Sequence, residues 1–130
     1  SQVKYYWVVE VPDKIKKYGI VTDGDYPQKD FVREVQMCIK AGIDEKAGNQ
    51  TLSKTPTVSN VTNRKHAVVL PLQKKLKKLG YYLGELDKIA GNKFKAGVQQ
   101  YQKEVVKASA KNQDGEATKK GATWKKLLNI

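Results

Sequence analysis

The 130-residue chain has a single cysteine, a single histidine and only two arginines, Arg33 and Arg64. One cysteine, Cys38, cannot close an intramolecular disulfide, so a disulfide-stapled secreted scaffold is excluded and a buried thiol is expected. One histidine, His66, cannot assemble a zinc site that needs about three protein ligands, and no cofactor is implied. A Ser-His-Asp or Cys-His arrangement would have to recruit that same residue, and no G-x-S-x-G spacing accompanies it. His66 precedes a helical stretch, where a structural or solvated role is the expectation. No apolar run approaches the 18 residues that suggest a membrane span, and Ser1-Gln2-Val3-Lys4 is no signal sequence, so no membrane partner is expected. A start at Ser suggests a fragment of a longer polypeptide.

What the chain has in excess is lysine. The net charge is +12 and uneven: residues 1–65 hold 11 Lys/Arg against 8 Asp/Glu, whereas residues 66–130 hold 14 Lys against 5 Asp/Glu. Such a surface is either a solvated, solubilising one or attractive to an anionic partner such as wall polymer or nucleic acid. Scarce arginine argues against base readout, because Arg is the commonest specific reader of guanine. A basic helical nucleic-acid-binding domain is therefore the rival reading.

A short stretch occurs twice. Ile43-Asp44-Glu45-Lys46-Ala47-Gly48-Asn49-Gln50 is echoed by Leu86-Asp87-Lys88-Ile89-Ala90-Gly91-Asn92-Lys93, and each follows an amphipathic segment carrying Gln36 or Gln73. This is the mark of a duplicated helix-loop-helix unit, trimmed in its first copy, and a repeated loop favours binding over catalysis. Asp44 and Asp87 could pair for glycoside cleavage, but their place in matching loops reads better as loop-stabilising hydrogen bonding.

Period-two alternation over Val3–Val11 predicts a strand, with a second short one over Gly19-Ile20-Val21-Thr22. Asp30 is a candidate cap for a helix over 31–40. Residues 53–65, rich in Ser, Thr, Asn and Pro, read as a connector. Val69, Leu72, Leu76 and Leu79 then define the dry face of a helix whose other face, Lys74, Lys75, Lys77 and Lys78, is strongly basic, with Pro71 admissible in the first turn. A third helix starts near Asn92, a suitable cap, with Phe94, Val98, Tyr101 and Val105 on one stripe. Lys107–Gly115 reads as a long loop before a short terminal helix that buries Trp124, Leu127 and Leu128.

From Val69-Leu70-Pro71-Leu72-Gln73 and Leu79-Gly80-Tyr81, through Asp87 to Gly91, Tyr101-Gln102 and Asp114-Gly115, to Thr123-Trp124-Lys125-Lys126-Leu127, residues 66–130 resemble the peptidoglycan-binding domain of cell-wall amidases and phage lysins. Residues 31–58 resemble a shortened second copy. Glu45 and Lys88 stand where that family has Gly, a position suited to positive φ, so a different loop geometry is expected. The resemblance implies a mainly α fold, a small three-helix bundle over 66–130 with a truncated repeat and connector over 30–65; the alternation adds a β element of no recognised family over 1–29, so the expectation is α+β overall. The resemblance also implies a non-catalytic, peptidoglycan-binding module of the bacterial cell wall or extracellular space, tethered to a hydrolase domain outside this chain, with anionic wall polymers as further partners. Tyr81 and Tyr82 are ligand-contact candidates because aromatic faces and phenol hydroxyls suit sugar rings and their peptide stems; the resemblance adds Asp87, Asn92 and Lys93, and by the repeat Asp44, Asn49 and Gln50. Each polar one is as ready to cap a helix as to touch ligand. Tyr101 and Trp124 are expected in the core.

Overall fold

The computed structural model describes residues 26–130, so the expected N-terminal strands lie outside the described residues. The described part is mainly helical: α1 (Gln28–Ile39), α2 (Asn49–Ser53), α3 (Val69–Lys78), α4 (Asn92–Tyr101) and α5 (Ala122–Leu128). A π-helical turn, Gln102–Val106, prolongs α4, and a 3-10 turn, Ala110–Asn112, breaks the loop that follows. No strand is formed among the described residues, where the extended backbone makes one antiparallel bridge, Val58 to Ala117.

Each helix follows from its apolar spacing. α1 buries Phe31, Val32 and Val35, α3 buries Val69, Leu72 and Leu76, and α4 buries Phe94, Val98 and Tyr101. Pro71 sits in the first turn of α3, where a missing N–H costs nothing. Trp124, Leu127 and Leu128 of α5 close the same core, and the Trp124 indole N–H donates to the Pro56 carbonyl at 2.8 Å. Fully burying side chains of this size contributes about 1.5–3 kcal/mol apiece. At Gly97 of α4 an added Cβ would lie 2.6 Å from the Tyr81 carbonyl oxygen, so only glycine lets that helix approach the 81–82 segment so closely.

Three sequence expectations are corrected. Helix caps are not the predicted side chains: Pro27 precedes α1, with Asp30 inside its first turn bound to Arg33 at 3.0 Å, and Gly91 caps α4 with Asn92 as the first helical residue. Nor is the Lys-rich face of α3 a free, fully solvated one, although Lys78 is exposed. Lys74 pairs with Glu34 at 3.1 Å, Lys75 bonds the Gln28 side-chain oxygen, Lys77 donates to the Gly84 carbonyl at 2.7 Å and Lys78 to the Tyr26 carbonyl at 2.9 Å. Three of these ammonium groups stand 5.3–5.7 Å from the ring centres of Tyr26, Phe31 and Tyr82. The alkyl stems thus cover aromatic surface while the heads bond outward, making the lysines a seam across α1, α3 and the loop after α3. Cys38 is half-buried rather than sealed in the core.

The stretch read as a connector is held firmly. Thr55 and Thr57 hydroxyls accept the backbone N–H groups of Lys120 (2.9 Å) and Lys119 (3.0 Å), and Val58 and Ala117 exchange both of their backbone hydrogen bonds. One continuous core runs from Tyr26 to Leu128.

Candidate functional site

Three fully buried glutamines organise the loops. Gln36 Nε2 lies 3.0 Å from Asp44 Oδ1, 3.1 Å from the Lys46 carbonyl and 3.0 Å from Thr51 Oγ1. Gln73 Nε2 meets Asp87 Oδ1 at 3.0 Å, the Ile89 carbonyl at 3.0 Å and the Tyr82 hydroxyl at 3.1 Å. Gln102 Nε2 meets Asp114 Oδ1 at 3.1 Å, the Glu116 carbonyl at 3.0 Å and Thr123 Oγ1 at 3.1 Å. In every case the side-chain oxygen accepts an N–H from the loop: Asp44 and Glu45, Lys88, or Gly115. A primary amide carries two donors and one acceptor, so it can satisfy a loop carbonyl, a carboxylate and a loop N–H at once.

Each aspartate closes its own turn by accepting the N–H two residues on, Lys46, Ile89 or Glu116, all at 3.0 Å. The intervening residue is left-handed in all three: Glu45 at φ 64°, Lys88 at φ 66° and Gly115 at φ 73°. The expected change of loop geometry at Glu45 and Lys88 is therefore absent. The clamp holds two non-glycine residues in a conformation that favours glycine. The hydrogen bonds hold the Asp44 and Asp87 carboxyls below their ordinary range, chiefly through the Lys46 N–H for Asp44 and through the Gln73 amide for Asp87.

The sequence pointed to two such units and missed the third. Its signal was present, since Gln102 lies twelve residues before Asp114-Gly115, but three extra residues separate that turn from Gly121. The repeat is thereby stretched out of register.

Of the eight expected contact residues, six are exposed: Asp44, Asn49, Gln50, Asp87, Asn92 and Lys93. They stand on the outer side of the first two clamps, Asn49 and Asn92 as the first residues of α2 and α4. Gln50 accepts the Gly42 N–H at 3.0 Å, and Asn92 Oδ1 lies 3.4 Å from Asn60 Nδ2. Tyr82 is buried, its hydroxyl accepting from Gln73 and donating to the Glu85 carbonyl at 2.5 Å. Burial, before all else, pushes that phenol up to about 12. Tyr81 is half-buried, edge-on to Tyr101 at 5.7 Å, and donates to Glu104 at 3.0 Å.

Tyr81 and Tyr101 also line a cleft of about 410 Å³ between α1, the end of α3, the π turn and the end of α5. A second cleft, about 510 Å³, lies between α1 and α3 beside Met37 and Leu70, and a third, about 300 Å³, opens beside Asp114 and Glu116. His66 Nδ1 accepts the Val68 N–H at 3.0 Å ahead of α3. Among the described residues no group of three or more His, Cys, Asp and Glu could hold a metal ion, and no helix is long and apolar enough to cross a membrane.

Residues 65–105 match the family model described as "Putative peptidoglycan binding domain". The match takes in α3, the whole Gln73 clamp, α4 and Gln102, about a third of the chain. No curated protein and no solved structure matches the chain.

Proposed function

We propose that this chain, which over residues 65–105 is a peptidoglycan-binding domain by family match, is a non-catalytic module that holds a peptidoglycan hydrolase, such as an amidase or endolysin, on the cell wall. The observation that carries the reading is the coincidence of the matched span with the Gln73–Asp87 clamp, since the segment that resembles the family is also one whose loop is organised from within by a buried amide. A rigid surface loses little conformational freedom on meeting a polymer, which favours binding. Tethering then raises the local concentration of an attached catalytic domain at its substrate. The excess of lysine over residues 66–130 adds attraction to anionic wall polymers that weakens with salt.

A pulldown on purified peptidoglycan beside immobilised duplex DNA, at low and high salt, tests the reading. Retention on peptidoglycan that survives high salt, with DNA binding weak or lost, is the expected outcome. Retention on DNA alone would replace it with a nucleic-acid role.

A further inference from the structure

The cleft at the meeting of α1, α3, the π turn and α5 is walled in part by a buried hydroxyl that no described residue bonds. Tyr101 lines it and is only 3 % exposed, yet its hydroxyl has no hydrogen-bond partner among the described residues. Buried hydroxyls are nearly always bonded, and leaving one unsatisfied is costly, so such a group in a cleft wall asks for an external partner. Burial pushes this phenol up to about 12, which keeps it a donor throughout the neutral range.

The three clefts differ in the carboxylates they present, although Lys88 makes the wall of the α1–α3 cleft basic as well. The α1–α3 cleft contains Glu34, and its Arg33 and Lys74 are already engaged by Asp30, Glu45 and Glu34. The cleft beside the third clamp presents Asp114 and Glu116 and no cation. The Tyr101 cleft is lined by Lys75 and Lys126 with no carboxylate in its wall; Glu104 stands at its edge, accepting from Tyr81. Lys75 is held by the Gln28 side-chain oxygen, and burial, then the neighbouring Lys78 charge, make its ammonium less favourable, a cost that an arriving anion would offset. The remaining wall is apolar and aromatic: Val105, Leu79, Leu127 and the two tyrosine rings.

We infer that this cleft binds a terminal carboxylate of the peptidoglycan stem peptide, with Lys75 and Lys126 facing the carboxylate, the Tyr101 hydroxyl donating to it or to the adjoining amide carbonyl, and the apolar wall taking the alanyl methyl groups. A carboxylate beside small apolar side chains matches two cations over an apolar wall. A glycan strand, which is neutral and presents many hydroxyls, does not. The inference rests on the wall-binding reading and moves the specific contact from the repeated loops to the far ends of α3 and α5.

The test titrates the full chain with a synthetic stem pentapeptide bearing a free C-terminal carboxylate, with the same peptide as its carboxamide, and with an N-acetylglucosamine oligomer. Cosedimentation with whole peptidoglycan runs in parallel. Tyr101→Phe removes only the hydroxyl and Lys126→Gln only an exposed charge, so both should keep the parent's melting midpoint. Each should weaken the free-acid peptide about three- to tenfold. The carboxamide should bind the parent at least as weakly as the acid binds these variants, and Lys111→Gln, on the 3-10 turn, should match the parent. If the parent sediments with peptidoglycan while acid and amide bind alike, or both variants bind like the parent, the cleft assignment falls and wall binding stands. A parent that binds neither peptide nor wall overturns both. A marked fall in melting midpoint for Tyr101→Phe would reveal an internal partner for the hydroxyl and remove the premise.

Discussion

The Gln36 and Gln73 units hold the same loop with different means. Both amides take an aspartate, a carbonyl and a hydroxyl, but the first spans eight residues from Gln to Asp and draws its hydroxyl from Thr51, seven residues beyond Asp44. In the second unit that place is taken by Phe94, which is buried in the core, and the six additional residues supply Tyr82 in its stead. The polar requirements of a buried amide are thus kept while the side chain meeting them changes. The tyrosine brings extra apolar area, which suits the unit closer to the centre of the core.

Replacing the amide by an apolar isostere breaks this comparison most severely. Gln73→Leu leaves the Ile89 carbonyl and the Lys88 N–H without their partner, and Gln36→Leu does the same to Lys46 and Glu45. Each should cost about 2–4 kcal/mol in urea unfolding, and the two losses should agree within about 1 kcal/mol. A loss below about 1 kcal/mol in either would mean that its clamp is ornamental. Both carboxyls lie below their ordinary range, so the stability they contribute is present above about pH 4 and is lost as pH falls through that value toward their folded-state values. The melting midpoint of the parent should fall over that window. Gln73→Leu should flatten the fall more than Gln36→Leu, because the Gln73 amide is the foremost cause of the shift at Asp87, whereas at Asp44 it is the Lys46 N–H.

Next in size is the lysine seam. Changing Lys74, Lys75, Lys77 and Lys78 together to Gln should lower stability by about 1–2 kcal/mol in all, modest because these groups keep some solvent. An unchanged melting midpoint would restore the picture of a solvated basic face.

The smallest effect sharpens the comparison with the third unit. Gly115 already has the residue its φ of 73° favours, and an added Cβ would come 2.5 Å from Lys95 Cγ. Lys88→Gly should relieve left-handed strain and raise stability by roughly 0.5 kcal/mol, relief offset in part by the freer unfolded chain. Destabilisation by Lys88→Gly would show that the strain is not there to be relieved.

Much of the fold was legible because helical periodicity reports burial directly: Val69, Leu72 and Leu76, Phe94, Val98 and Tyr101, and Trp124, Leu127 and Leu128 occupy the core that their spacing predicts. What spacing cannot report is which element flanks a helix. The α3 lysines alternate with core residues as solvated ones would, and only the placement of Tyr26, Phe31 and Gly84 beside them turns a polar face into a seam. The third clamp escaped because Thr123, whose hydroxyl accepts from the amide, sits two residues after Gly121, while Thr51 sits three after Gly48. The Tyr101 cleft could not be seen at all, since its walls come from both ends of the described chain.

The central claim, that the chain binds peptidoglycan without cleaving it, is tested most directly by incubating the full chain with a suspension of purified walls. Protein remaining in the supernatant and the turbidity of the suspension are followed together. The account predicts that the chain leaves the supernatant saturably while turbidity stays constant. A chain that remains in the supernatant at every wall concentration, or a steady loss of turbidity insensitive to a chelator, would contradict it.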